Sequence, residues 1–485
     1  MLLTTTHHWS LRGLPGRSAH WAAPAIALLL SACAATGPAP VWPSTFSSFV
    51  VLGENGAATA RVLIAAPGCP EILIGDRSLP MTLRAPAATI ALRPTPSDPA
   101  DSVPSVFPLR TCEAALPAAT TANLHASVLG RALPLPKPEP HRIVVIGDTG
   151  CRLQKSSNSY QACNDAAQYP FAAVAARAAA WQPDLVIHVG DYHYRENACP
   201  EGNVGCAGSP WGYGWDAWNA DFFTPGTALL QAAPWIMARG NHESCTRGGQ
   251  GYWRFLDPRP LLVGRDCNNA NDDALGNYSA PYAVPIGQST QLLVMDTAAT
   301  SWKGFKPGEL GYDKYRELYR QVAALAQQAP RNIGIDHHPL LGMGADRKDG
   351  GPITLLPGDA GLQNSFGSLN PQLLPASIQT MLSGHVHLWE QIGFSSEHPS
   401  QFISGFSGTA EDIVPLPERL PPDATPAPGA AVDSFSSWVD GFGFMTMERL
   451  GPDQWKVLVH DLQGQIRNTC RIDGRRSSCA VAQVR

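Results

Sequence analysis

Arg142-Ile143-Val144-Val145-Ile146-Gly147-Asp148-Thr149-Gly150 holds a strand-length apolar run that stops at a cluster of turn residues. The run shows no polar alternation, the pattern of a strand buried on both faces rather than one. An Ala-rich helical stretch follows at 171–181, then a second apolar run at 184–189 that ends in Gly190-Asp191. Strand, helix, strand predicts a βαβ unit and with it an α/β fold. Downstream, strands are expected at 235–238, 291–295, 333–335 and 380–383, with a helix at 315–327. Residues 415–431 read as a Pro/Ala-rich loop and 442–462 as a closing hairpin, and no internal repeat is present. Upstream, Leu133-Pro134-Leu135-Pro136-Lys137-Pro138-Glu139-Pro140 can be neither helix nor central strand. Before it, short β-type runs such as Phe49-Val50-Val51-Leu52 and Ile72-Leu73-Ile74 are interrupted by turn residues. The expectation is a small N-terminal all-β domain at 46–132, a linker at 133–140 and a larger α/β domain at 141–485.

The chain has 485 residues, more than a single core usually holds, and 44% of them are apolar, so it is not a disordered protein. Lys+Arg 35 against Asp+Glu 40 gives a net charge of −5. With no basic run in the sequence, this argues against an electrostatic nucleic-acid binder. No apolar run reaches the roughly 18 residues that span a bilayer. Residues 1–33 read as an export signal: Arg12 and Arg17 precede a short apolar stretch at 22–30, which closes on Leu30-Ser31-Ala32-Cys33. That ending resembles a bacterial lipobox with Cys33 as the lipidated residue, followed by a Pro-rich tether at 34–45. An ordinary cleaved signal is the other reading, and both place the protein in the cell envelope, the periplasm or the medium. Setting Cys33 aside leaves ten of the 11 cysteines, an even number that reads as disulfides in an exported chain. Pairing of neighbours along the chain is the cheapest arrangement, and no pair has zinc-finger spacing.

Polar residues gather at the ends of the expected strands. Asp148 follows the first, Asp191 and Tyr194 the second, Asn241 and His242 the third, His337 another, and His385 and His387 the last. Singly, an Asp after Gly is a turn residue and a His a core or surface residue. Together they offer oxygen and nitrogen donors without thiolate, at the strand ends where open α/β sheets carry their sites. An aspartate bridging two cations about 3.5–4 Å apart is the arrangement for in-line displacement at phosphorus.

Gly147-Asp148-Thr149-Gly150, Gly190-Asp191-Tyr192-His193-Tyr194, Gly240-Asn241-His242-Glu243, Asp336-His337-His338-Pro339 and Gly384-His385-Val386-His387 resemble, in order, the five blocks of calcineurin-like metallophosphoesterases. Within that superfamily the chain looks most like the purple acid phosphatase branch. Many members carry a His two positions after the first Asp, where this chain has Gly150, while Tyr194 stands where the purple branch supplies a phenolate to ferric iron. The resemblance implies a β-sandwich flanked by helices and two metal ions, Fe(III) with a divalent Fe, Zn or Mn. The first ion would be held by Asp148, Asp191, Tyr194 and His387. The second would be held by Asp191, Asn241, His337 and His385, and hydroxide drawn from metal-bound water would attack phosphorus. Asn241, His242 and His338 would face the substrate. His242 would protonate the leaving oxygen, its other reading being a structural histidine on a carboxylate such as Glu243. His338 either touches phosphate or packs.

The His-rich substrate segment of eukaryotic purple acid phosphatases is absent. In its place stands Leu340-Leu341-Gly342-Met343-Gly344-Ala345-Asp346-Arg347-Lys348, where Arg347 and Lys348 are the only cations. The aromatic loop at 199–218 reads as a stiff wall beside the ions or as core, and because Trp215 and Trp218 lie three apart at the start of an expected helix at 216–223, one of the two is expected to pack inward. The function implied is hydrolysis of small-molecule phosphate monoesters of the acid phosphatase type. The alternatives are a phosphodiesterase or nucleotide hydrolase on the same scaffold, or a non-catalytic envelope binding protein.

Overall fold

A computed structural model of the chain describes residues 46–481 apart from 119–123, 348–350, 411–413, 415 and 418. The expected signal at 1–33, with Cys33, and the tether at 34–45 lie outside the described residues, as does Lys348. Among the described residues no helix is long and apolar enough to cross a membrane.

Two sheets carry the fold. The first contains β1 (Phe46–Leu52), β2 (Ala58–Ile64), β3 (Thr82–Ala85), β4 (Arg110–Ala115), β5 (Arg142–Ile146), β6 (Leu185–His188) and β7 (Trp235–Met237). The second contains β8 (Tyr282–Pro285), β9 (Thr290–Val294), β10 (Arg331–Ile335), β11 (Ile378–Ser383), β12 (Trp389–Phe394), β13 (Ser400–Ser404) and β14 (Val432–Trp438). The chain then returns to the first sheet with β15 (Gly443–Arg449), β16 (Gln454–Asp461), β17 (Ile466–Asp473) and β18 (Arg476–Val481). The order of the first sheet is β18-β17-β16-β15-β5-β6-β7-β1-β2-β4-β3, and that of the second is β8-β9-β10-β11-β13-β12-β14.

The unalternating apolar strands have a direct physical cause. Ile143 and Val145 of β5 point into a core shared with Leu292, Val294, Ile333 and Ile335 of the second sheet. Val144 and Ile146 point the other way, onto Phe171, Val174 and Ala178 of α1 (Phe171–Ala180). In the second sheet Leu293 and Met381 pack on Tyr315, Leu318 and Val322 of α2 (Leu310–Leu325) and on Leu362 and Phe366 of α3 (Ala360–Gly367). Each central strand is thus covered on both faces, in the layer order helix, sheet, sheet, helix. This is the helix-flanked β-sandwich that the resemblance implies.

Residues 46–132 are all-β, but the first sheet runs through them without a break. β1 pairs in parallel with β7, with Val51 opposite Trp235, and β2 and β4 follow outward. The N-terminal strands expected as a separate domain at 46–132 thus share this sheet with the strands after 141, and the Pro-rich segment at 133–140 leads from Arg131–Ala132, in a smaller sheet, into β5. Without β1, β7 would present an open edge to solvent. A four-stranded sheet built from Glu71–Ile74, Arg77–Pro80, Ala126–Val128 and Arg131–Ala132 completes this end. The hairpin expected at 442–462 is β15 and β16, and the two strands after it were not anticipated. The ten described cysteines pair along the chain as 69–112, 151–163, 199–206, 245–267 and 470–479.

Candidate metal centre

Asp148 and Asp191 stand just past the ends of β5 and β6, and Asn241 and His242 past β7. His337 follows β10, and His385 and His387 lie between β11 and β12. All are at the C-terminal ends of strands, where the two sheets meet. Reaching that point bends the backbone: Asp148 (φ 54°), Asp191 (φ 60°) and His385 (φ 71°) are three of nine non-glycine residues with positive φ among those described. Strain of this kind persists where surrounding structure fixes it, and it clusters at functional sites.

Close approach of the loops requires glycine. Gly190 has φ +105°, and a Cβ there would stand 2.5 Å from His337 Nδ1 and 2.9 Å from Gly240 Cα. At Gly150, a Cβ would lie 2.8 Å from Tyr192 O, 2.8 Å from Tyr194 N and 2.9 Å from Asp221 Oδ2. The place where many relatives carry histidine therefore has no room for any side chain.

Tyr194 fills the space between the donors. Its hydroxyl is 2.9 Å from Asp148 Oδ1, 2.9 Å from Asp191 Oδ2 and 3.0 Å from His387 Nε2. Burial and the two carboxylates hold its phenol well above the ordinary pKa. On the other side of Asp191, His337 Nε2 is 3.1 Å from Asp191 Oδ2 and 3.1 Å from Asn241 Oδ1. Asn241 Oδ1 is in turn 3.0 Å from His385 Nδ1. The seven side chains singled out in the sequence thus form one continuous group with Asp191 at its middle.

This group fits bound cations better than it fits hydrogen bonding alone. One phenol proton cannot serve two carboxylate oxygens and an imidazole nitrogen at once. His337 Nδ1 lies 2.9 Å from Val189 O, a contact that places the ring proton there and aims the Nε2 lone pair at a carboxylate. Such an arrangement needs a proton or a metal between the two. Burial works against charge on His337, yet Asp191 outweighs it and lifts the ring to about 9. Ligand atoms of Asp148, Asp191 and His337 lie within 4.8 Å of one another, as do those of His337, His338 and His385. His338 thus joins the His385 side, its ring 4.3 Å from that of His385 and its Nδ1 3.3 Å from Thr297 Oγ1.

The His242 ring lies 3.8 Å from the Tyr194 ring, tilted by 32°, with Nε2 3.9 Å from Asp191 Oδ2. Its carboxylate partner is Glu196, 2.8 Å from Nδ1, not Glu243. Arg247 Nη2 donates to His242 Nε2 at 3.1 Å, and Arg247 Nε donates to Glu196 Oε1 at 2.6 Å. Burial and the Arg247 charge lower the His242 pKa, while Arg247 and His242 overcome burial to hold Glu196 well below the usual carboxylate range. Glu243 instead accepts from the backbone N–H groups of Asp191, Tyr192, His193 and Gly240. Asp221 does the same for Cys151, Tyr194 and Arg195. Glu196, Arg247, Glu243 and Asp221 were all missed as site residues. Charged residues in loops carry no spacing that separates a buried brace from a solvated surface group. Trp215 and Trp218 are both buried, where one was expected to be, in a short helix at Trp215–Trp218 continued by Asn219–Phe223, while Arg347 is exposed.

The fold has solved counterparts. A purple acid phosphatase isolated from yellow lupin (Lupinus luteus) seeds superposes with a TM-score of 0.52 at 14% identity, covering 90% of this chain and 74% of that one. PhoD superposes with a TM-score of 0.50 at 11% identity, covering 90% and 92%. No curated protein matches the sequence. The family model for calcineurin-like phosphoesterase matches residues 141–388, just over half of the chain and all five blocks. By that match, and with the fold and the donor cluster in agreement, the chain belongs to the calcineurin-like phosphoesterases.

Proposed function

We propose that this chain is an exported acid phosphatase of the purple type, hydrolysing phosphate monoesters with Fe(III) and a divalent Fe, Zn or Mn ion. Asp148, Asp191, Tyr194 and His387 would hold the first ion, and Asp191, Asn241, His337 and His385 the second. When bound, the two cations supply Lewis acidity at the phosphoryl group and an activated water. The chain's own residues do the rest. Asp191 would keep the two donor groups in register, and Asn241 and His338 would meet the phosphoryl oxygens. His242, held by Glu196 and Arg247, would give a proton to the leaving oxygen. The ester's negative charge beside His242 opposes the depression that burial and Arg247 impose, which favours the protonated ring when substrate is bound. The five disulfides agree with an oxidising compartment outside the cytoplasm. A lipid anchor at Cys33 belongs to the same proposal.

One observation carries this reading: Gly150 has no space for a histidine, and the Tyr194 hydroxyl sits between Asp148, Asp191 and His387 instead. Metal analysis with a visible spectrum tests it. A broad band in the middle of the visible range, lost in Tyr194→Phe, is the expected result; active, colourless, iron-free protein would overturn the purple-type reading. Turnover of a phenyl monoester against the bis-ester of the same phenol tests the substrate class, and a preference for the bis-ester would make the chain a phosphodiesterase. Asp191→Asn should lower activity by more than ~100-fold, beyond the 10–100-fold usual for outer-shell changes, with loss of metal. Full metal content and activity in that variant would remove the bridging role.

A further inference from the structure

Beside the metal centre lies a pocket of about 320 Å³ with His385 in its wall. Of the seven clustered side chains, His385 is the exposed one, whereas Asp148, Asp191, Tyr194 and His387 are buried. The centre therefore opens toward solvent on the side of this pocket. The walls come from Trp302, Met343, Leu356, Pro357 and Val386, and the rim residue Trp302 is 78% exposed. Met343 belongs to the apolar segment that stands where eukaryotic purple acid phosphatases carry histidines. That segment pairs Gly344 with Leu356 across a short hairpin, which sets the pocket's outer wall. Among the described lining residues the one formally charged group is Asp359, and there is no Lys or Arg. Asp359 is occupied as the cap of α3, accepting from Leu362 N at 2.8 Å and from Thr300 Oγ1 at 2.7 Å.

An exposed tryptophan, an apolar wall, a carboxylate and no cation among the described lining residues make a poor seat for a second phosphate, and a good one for a hydrocarbon group. The volume is at the low end of the roughly 300–1,000 Å³ of ordinary ligand pockets, enough for one or two rings. We propose that this pocket receives the organic group of the ester, so that the chain selects phosphate esters of uncharged, apolar alcohols and phenols. The proposal rests on the phosphoesterase reading above and adds its substrate class. Sugar phosphates and nucleotides bring hydroxyls or further charge that these walls cannot satisfy, and are expected to be poor substrates.

The test compares 2-phenylethyl phosphate with glycerol 1-phosphate on the metal-loaded protein. Both release an alkoxide, so intrinsic reactivity is closely matched and the difference reports recognition. A kcat/KM at least about tenfold higher for the phenylethyl ester is expected, carried mainly by KM. Leu356→Asp should erase that preference, with kcat/KM for the phenylethyl ester falling to about that for glycerol 1-phosphate. Trp302→Ala, at an exposed position, should reduce the preference in a variant with little reason to misfold. Binding of 2-phenylethylphosphonate, measured by calorimetry, gives a readout that needs no turnover and should weaken about tenfold in both variants. Equal efficiency toward the two esters, or an unchanged ratio in both folded variants, overturns the pocket assignment while the phosphatase reading stands. Hydrolysis of neither ester, with no phosphonate binding, overturns the phosphatase reading and this proposal with it.

Discussion

Gly150 shows how one residue type selects the chemistry of a site. With its Cβ position already within 2.9 Å of Tyr192 O, Tyr194 N and Asp221 Oδ2, even alanine must push the Tyr194 loop away. Gly150→Ala should cost about 1–3 kcal/mol, the usual range for overpacking, and lower metal content together with activity. Urea unfolding and metal analysis of the variant read both effects. Glu390 offers a second test at this scale. It is fully buried, accepts from Met343 N at 3.0 Å, and its other carboxylate oxygen lacks a hydrogen-bond partner. Burial lifts its pKa from 4.5 to about 8. A carboxyl raised in the folded state holds a proton that the unfolded chain has released. Stability from this group is therefore greatest below about pH 4.5 and falls as pH rises toward 8, by up to ~1.4 kcal/mol per unit. Glu390→Gln should flatten that slope in unfolding measured from pH 5 to 8. An unchanged slope would show that another group is responsible.

At the scale of elements, the loops after β6 and β7 are braced by buried carboxylates rather than by secondary structure. Glu243 gathers four backbone N–H groups from both loops, and Asp221 gathers three from the Cys151 and Tyr194 segments. Each buried donor left without an acceptor costs about 1–3 kcal/mol. Glu243→Ala should therefore destabilise the protein by about 3 kcal/mol or more in urea unfolding and release metal, since the Asp191 backbone loses its support. A variant with native stability and metal content would mean that water replaces the carboxylate. Neither brace was legible in advance. Glu243 reads in the sequence as the neighbour of His242, yet its side chain turns to the backbone, and Glu196 reaches the ring instead. Which of two nearby carboxylates meets a histidine depends on loop direction, and no local spacing encodes that. β17 and β18 escaped notice for a related reason. Their half-exposed alternation is weak beside the continuous apolar runs of the buried strands.

Across the whole molecule, the N-terminal strands and the segment that follows share a sheet and a core. Phe49, Val51 and Leu63 pack with Val144, Trp235 and Phe255, and Val50, Ala60 and Val62 with Ile143, Ile187 and Ile236. Two buried arginines tie the parts further. Arg61 donates to Phe255 O and Asp257 O, and Arg84 to Trp253 O and Arg259 O. A chain cut to residues 141–485 would expose the edge of β7 and strip these carbonyls of their donors. It should lack the cooperative thermal unfolding transition of the longer chain and aggregate. Soluble, cooperatively folding, active 141–485 would restore the separate-domain picture.

The sequence alone was enough for whatever depends on short-range pattern. Apolar runs without alternation specify strands covered on both faces, five blocks in order specify the family, and an even set of cysteines points to disulfides, whose pairing of neighbours was the cheapest arrangement and became visible only in the structure. Long-range placement needed three dimensions: β1 beside β7, Glu196 rather than Glu243 against His242, and an apolar pocket opening at His385. Those outcomes depend on which distant backbones come within a few ångströms of each other, a property of packing that no window of residues contains.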